Sequence, residues 1–191
     1  MRIQAKLVTL LGLALAALAF SVSCQQQTSN TQNASAQQVH KEAEQGTSTP
    51  KTISAATEYK SWAKLNDKPI LSKGHGGKWV VAFANKAADD AIKSGKTSSF
   101  PAGSIFVKEA YKDDGGKPGE LSDLTVMEKR AGFDPANNDW YWAMTDPKGN
   151  VMTNPEMKMP VEGKVQMCSA CHIQAKATDF VFTAEKLKGK K

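Results

Sequence analysis

Near the end of the chain, Cys168-Ser169-Ala170-Cys171-His172 sets two thiols three positions apart, with an imidazole directly after the second. On a helix that spacing brings both sulfurs to one face, one turn apart. There they can add to the two vinyl groups of a haem while the histidine takes the iron. Two rival chemistries use similar thiols. Structural zinc usually takes four ligands, and Cys168, Cys171 and His172 leave the fourth to a distant His or carboxylate. A dithiol redox pair is expected to open a helix after a βαβ unit, whereas this pair lies near the C-terminus behind a stretch that reads as antiparallel. The motif therefore predicts one covalent haem c, bound by Cys168 and Cys171 with His172 as the metal ligand.

The start of the chain agrees with that chemistry, because covalent haem is attached outside the cytoplasm. Arg2 and Lys6 precede the apolar run Leu7 to Phe20, and the small residues Ser21-Val22-Ser23 stand just before Cys24. This is the plan of a secretory signal over residues 1–23. A membrane-crossing helix needs roughly 20 apolar residues, more than this run supplies before the polar Gln25-Gln26-Gln27 begins. The segment resembles a bacterial lipoprotein signal, although Ser21 stands where a larger aliphatic residue is usual. Cys24 is then the lipid-anchor residue; the other reading is cleavage after Ser23, leaving Cys24 as a free N-terminal thiol. With only three cysteines in the chain, lipidation of Cys24 leaves one pair, already assigned, and no disulfide framework.

Residues 24–54 are rich in Gln, Ser, Thr and Asn and nearly devoid of large apolar side chains. Such a segment cannot bury enough surface to offset its ordering entropy. As a flexible tether of about 30 residues it reaches on the order of 30 Å. Residues 55–191 have the size of one ordinary domain with one core. The formal net charge of +6 falls to +4 once Arg2 and Lys6 are removed. Much of the remainder is scattered lysine, with a cluster at Lys186, Lys188, Lys190 and Lys191. These are expected to be solvated, and no nucleic-acid partner is expected of an exported chain.

The elements that must position the thiols can be read from periodicity. Trp79 to Ala84 alternates as a half-buried strand after the turn Gly74-His75-Gly76-Gly77, and Gly103 to Ala110 does so after Pro101. Leu121 to Arg130 and Trp140 to Met144 read as two more strands, separated by the turn-rich stretch from Asp134 to Asp139. A helix is expected over Asn85 to Ser94, closed by Gly95. An early helix from Thr57 to Leu65 would bury Tyr59 and Trp62 on one face. A final helix over Gly163 to Ala177 carries the two thiols. The fold class that follows is α+β, an antiparallel sheet with flanking helices and a c-type haem held by a C-terminal helix.

With these segments in order, the chain resembles the cytochrome P460 family, which includes the β-sheet cytochromes c′. The resemblance runs through Tyr59-Lys60-Ser61-Trp62, Gly103 to Glu109 and Asp139-Trp140. It is strongest in Cys168 to His172 followed by Ala177-Thr178-Asp179-Phe180-Val181-Phe182-Thr183. It implies an antiparallel sheet with flanking helices. It also implies that Lys108 matches the strand lysine that hydroxylamine-oxidising members join covalently to the haem. Strand alternation puts Phe106, Lys108 and Ala110 on one face. The bland reading of Lys108 is a sheet lysine reaching solvent.

Oxidising members also present a carboxylate and an arginine, and the register adopted sets Leu124 and Val80 at those places. Phe106 and Leu124 then line an apolar distal pocket, suited to nitric oxide or carbon monoxide and lacking a general base. A slip of one residue brings Asp123 inward instead. His75, Met127 and Met144 are candidates for a sixth iron ligand, but turn histidines and core methionines are more often structural. Met152, Met157, Met159 and Met167 cluster before the thiols, and His40 falls in the tether.

The function expected is an exported mono-haem c-type cytochrome that binds small gases, transfers electrons, or both. The alternative is a hydroxylamine or nitric oxide oxidoreductase with a Lys108–haem cross-link. The partners expected are a small gas or nitrogen-oxide ligand, a periplasmic redox protein, the membrane surface through the lipid anchor, and a second copy as a homodimer. The location expected is the periplasmic side of a bacterial membrane.

Overall fold

The computed structural model describes residues 51–182. The export segment, Cys24, His40, nearly all of the tether and the C-terminal lysine cluster lie outside the described residues. Within them, seven strands form one antiparallel sheet: β1 (Ala63–Lys64), β2 (Ile70–Ser72), β3 (Lys78–Ala84), β4 (Ile105–Asp113), β5 (Pro118–Lys129), β6 (Trp140–Thr145) and β7 (Glu162–Gly163). Their order is β1-β3-β4-β5-β6-β7, with β2 also paired to β3. Three α-helices accompany the sheet: α1 (Ala55–Glu58), α2 (Lys86–Lys93) and α3 (Gln166–His172). The class is α+β.

The four long strands lie where alternation predicts them, and α2 fills the predicted helix, with Asn85 as its N-cap. Asn85 accepts a hydrogen bond from the Ala88 amide at 3.1 Å, satisfying one of the free donors of the first turn. Gly95, at φ +73°, takes the left-handed conformation that ends it.

The early helix is shorter than expected. α1 passes into a 3₁₀ turn over Tyr59–Ser61, and Trp62 is already extended. The edge of β3 is the cause, because it recruits Ala63 and Lys64 as β1 and so ends the helix. Tyr59 is buried while Trp62 is only half-buried, so the two do not share one buried helix face. Likewise Glu162–Gly163 pairs with β6, so the final helix begins at Gln166 and continues as 3₁₀ over Ile173–Thr178. The fold also begins before Ala55. Ile53 is buried, and the Val151 amide donates to the Lys51 carbonyl at 2.8 Å, so residues 51–54 belong to the domain and not to the tether.

Both faces of the sheet are covered. One carries Ile53, Tyr59, Val81, Phe83, Val107, Leu124, Val126 and Tyr141, packed under α1. The other carries Ala82, Ala84, Phe106, Met127, Trp140 and Trp142, with Phe100, α2 and the segment after α3 packed against them. The register fixes which residues share the second face. Phe106 stands between Ala84 and Met127, and Lys108 between Ala82 and Thr125.

Candidate functional site

α3 carries Cys168 and Cys171 as free thiols, Cys168 half-buried and Cys171 exposed. Burial pushes the Cys168 thiol up to about 11, the neighbouring Cys171 adds to the rise, and the charge of Lys108 opposes it. This is the reverse of the depressed thiol that a dithiol redox pair needs. Among the described residues, no group of three or more His, Cys, Asp or Glu side chains gathers to hold a metal ion, which leaves a zinc site short of donors.

His172 is buried at the end of α3. Its Nδ1 lies 2.7 Å from the Phe180 carbonyl oxygen. A carbonyl only accepts, so Nδ1 carries the proton and Nε2 keeps its lone pair. The ring is packed by Trp142, with centroids 4.7 Å apart, and by Phe182 at 5.2 Å. Burial holds the imidazole at about 3, with Lys108 pushing the same way and the Phe180 bond opposing, so the ring is neutral near pH 7.

The carbonyl that orients His172 is itself pinned. Asp179, fully buried, accepts from the Phe100 amide at 2.7 Å, Lys129 Nζ at 2.7 Å, Asn138 Nδ2 at 3.0 Å and Trp140 Nε1 at 3.3 Å. Asp179 and Phe180 have φ of +50° and +67°, a left-handed pair that costs energy in non-glycine residues and is held by these contacts.

A cavity of about 660 Å³ opens between α3 and the sheet. Val80, Ala82, Phe106, Lys108, Thr125, Met127 and Trp142 line its sheet side, and the 70–75 segment with Cys168, Cys171 and His172 lines the other. Neither Asp nor Glu is among the lining residues. Trp142 Nε1 is buried and has no hydrogen-bond partner among the described residues. His75 contributes its ring from the turn after β2, with Nδ1 2.8 Å from Ser72 Oγ. Burial lowers its imidazole to about 4, Lys108 and Lys78 lower it further, and Asp123 opposes them.

Phe106 and Lys108 thus face the cavity together, as alternation predicts, and Val80 lines it too, where the resemblance set it. Leu124 does not. It is 0% exposed in the cluster on the opposite face, paired across the ladder with Glu109. The register that set Leu124 in the pocket is therefore corrected by one residue. Asp123 shares the face of Lys108, paired with Ala110, and its carboxylate is engaged by Lys78 in a close ion pair.

Of the two methionines offered as a sixth ligand, Met127 lines the cavity while Met144 is not among its lining residues; Met167, from the cluster before the thiols, lines it as well. Met157 and Met159 are each 61% exposed. Ser72, Trp142, Asp179 and the Phe180 carbonyl were not picked out by their chemistry in the sequence. A backbone acceptor has no residue-type signature, and Asp179 was visible only as part of the segment that follows the thiols.

No curated protein matches the chain. The family model for Cytochrome P460 matches residues 56–183, from the first turn of α1 to just past the aromatic segment that cradles His172. That span includes the strand with Lys108, the cavity and both thiols, and on it the chain belongs to the cytochrome P460 family, whose members carry a c-type haem.

Proposed function

We propose that the chain is an exported mono-haem c-type cytochrome that transfers electrons and takes small uncharged gases such as nitric oxide or carbon monoxide at its iron. Three features of the cavity fit a covalently held haem. Two free thiols one turn apart stand in its wall. His172 is neutral, with Nδ1 occupied and Nε2 left to bind. The orphaned indole N–H of Trp142 is a donor in want of an acceptor, such as a carboxylate on the occupant. Each thiol would add its S–H across a vinyl C=C, with no net change in oxidation state. The haem, when bound, supplies reversible one-electron chemistry and a coordination site for a diatomic ligand. The export signal and Cys24 support a place on the periplasmic side of a membrane, with a redox partner there.

The observation that carries the choice of binder over enzyme is the carboxylate-free lining. Dehydrogenating a nitrogen substrate needs a proton acceptor beside the iron, and the imidazole in the lining, His75, is held by burial at about 4, a weaker base than an ordinary histidine. Asp123, which shares the face of Lys108, is committed to Lys78. Val80, Ala82 and Phe106 present apolar surface instead. The ferrous protein is therefore expected to bind carbon monoxide with a clear spectral change and to show no hydroxylamine-dependent reduction of an electron acceptor. Turnover of hydroxylamine would overturn this choice.

Lys108 favours the second reading, an oxidising enzyme with a lysine–haem cross-link, because its side chain lines the cavity. Digestion and mass spectrometry separate the two. A haem peptide holding α3 alone is expected. One that also contains Lys108, and loses it together with turnover in Lys108→Ala, establishes the enzyme.

A further inference from the structure

The turn that carries His75 is built to hold its ring still. The Gly77 amide donates to the Ser72 carbonyl at 3.0 Å and the Gly76 amide to the Lys73 carbonyl at 3.2 Å. Gly76 and Gly77 take φ of +70° and +72°, conformations that residues with a Cβ adopt at a cost. β2 before the turn and β3 after it are paired, Ser72 opposite Lys78, so the turn is clamped at both ends. The turn also lies against α3, since a Cβ at Gly74 would stand 3.9 Å from Cys171 Sγ.

We propose that His75 is the second axial ligand of the iron, so that the haem is held between His172 on α3 and His75 on the turn after β2. This inference rests on the haem reading of the preceding subsection. The ring centres of His75 and His172 are 6.3 Å apart. A metal–imidazole nitrogen bond is about 2 Å and the nitrogen lies roughly 1 Å from its ring centre, so two imidazoles on opposite sides of one ion have centres about 6 Å apart. The 81° between the ring planes is compatible, because each ligand binds through one nitrogen whatever its rotation about that bond.

Both rings have Nδ1 engaged. His172 donates Nδ1–H to the Phe180 carbonyl, and His75 Nδ1 lies 2.8 Å from Ser72 Oγ, which accepts from it in the tautomer that leaves Nε2 to bind. That outer hydrogen bond is the usual companion of a metal-binding histidine. An edge-to-face ring pair has a similar spacing but gives no reason for both rings to line one cavity with Nδ1 engaged. Met127 and Lys108 also line the cavity, but Met127 is packed among Phe106 and Trp142, and a lysine binds only after losing its proton. The consequence is an iron with no open position at rest, whose gas binding waits for His75 to leave.

The test uses the full chain, exported and matured with its haem. Mass spectrometry comes first. Absence of covalent haem refutes the haem reading and the ligand proposal with it, whereas covalent haem with the wrong spectrum refutes the ligand proposal alone. The wild-type ferric protein is expected to be low-spin and six-coordinate by absorption and electron paramagnetic resonance without any added ligand. His75→Ala is expected to turn high-spin, to return to low-spin when imidazole is added, and to bind carbon monoxide in the ferrous state at least tenfold faster. If His75→Ala does not accumulate, His75→Met keeps a sixth donor and is expected to raise the midpoint potential. A high-spin wild type overturns the proposal. So does a low-spin spectrum that survives His75→Ala, or one that His75→Met leaves unmoved together with the potential.

Discussion

At the scale of single residues, the site depends on a relay of fixed partners behind His172. The buried Asp179 carboxylate gathers Lys129, Asn138, Trp140 and the Phe100 amide. Those bonds hold the left-handed turn from which Phe180 presents its carbonyl to Nδ1. Removing the carboxylate leaves Lys129, only 12% exposed at its side chain, facing a cavity. Asp179→Ala is therefore expected to cost about 3 kcal/mol, as for other broken buried pairs. Urea denaturation reads this as a lower midpoint at unchanged slope. The same variant frees the His172 ring and is expected to shift the midpoint potential of the holoprotein. An unchanged potential would mean that the relay serves stability only. The thiols and His172 were legible from type and spacing alone, whereas the relay depends on a backbone oxygen and a long-range carboxylate that no local pattern announces.

Among the elements, β5 is the one whose sequence misleads. Both faces of the sheet are covered, so Asp123, Leu124, Val126 and Met127 are all buried and the usual contrast between inner and outer positions is lost. Register irregularities between Ala110 and Asp113 further disturb the count. The strands β3, β4 and β6, at six to nine residues, are legible because they are long enough to show a period. β1, β2 and β7, at two or three residues each, are too short to show a period.

The corrected register has a direct test. Leu124→Ala is expected to cost about 3 kcal/mol of stability while leaving the haem spectrum unchanged. Thr125→Val is expected to perturb the spectrum and carbon monoxide binding at little cost in stability. The opposite pattern would restore Leu124 to the pocket.

On the other face, burial pushes the Glu109 carboxyl up, but hydrogen bonds from Lys60, Tyr111 and Tyr59 outweigh it and leave the group below its ordinary value of 4.5. A depressed carboxyl stabilises the fold above the unfolded value and loses that contribution as pH falls through the folded one. Acid titration of Glu109→Gln is thus expected to show a flatter loss of stability below pH 4.5 than the wild type.

Taken whole, the proposed export signal and Cys24 stand ahead of a domain whose cavity of about 660 Å³ meets both thiols. No helix among the described residues is long and apolar enough to cross a membrane. The proposed lipid anchor places attachment at Cys24, and Cys24→Ser is expected to abolish incorporation of a labelled fatty acid into the protein. The central claim is the covalent haem on Cys168 and Cys171, and intact mass under denaturing conditions tests it most directly. Protein exported from a strain that matures c-type cytochromes is expected to weigh one haem more than its polypeptide and to keep that mass through acid extraction, with the addition lost in the Cys168→Ala/Cys171→Ala double variant. A bare polypeptide mass, from cells in which another c-type cytochrome is matured, would contradict the account.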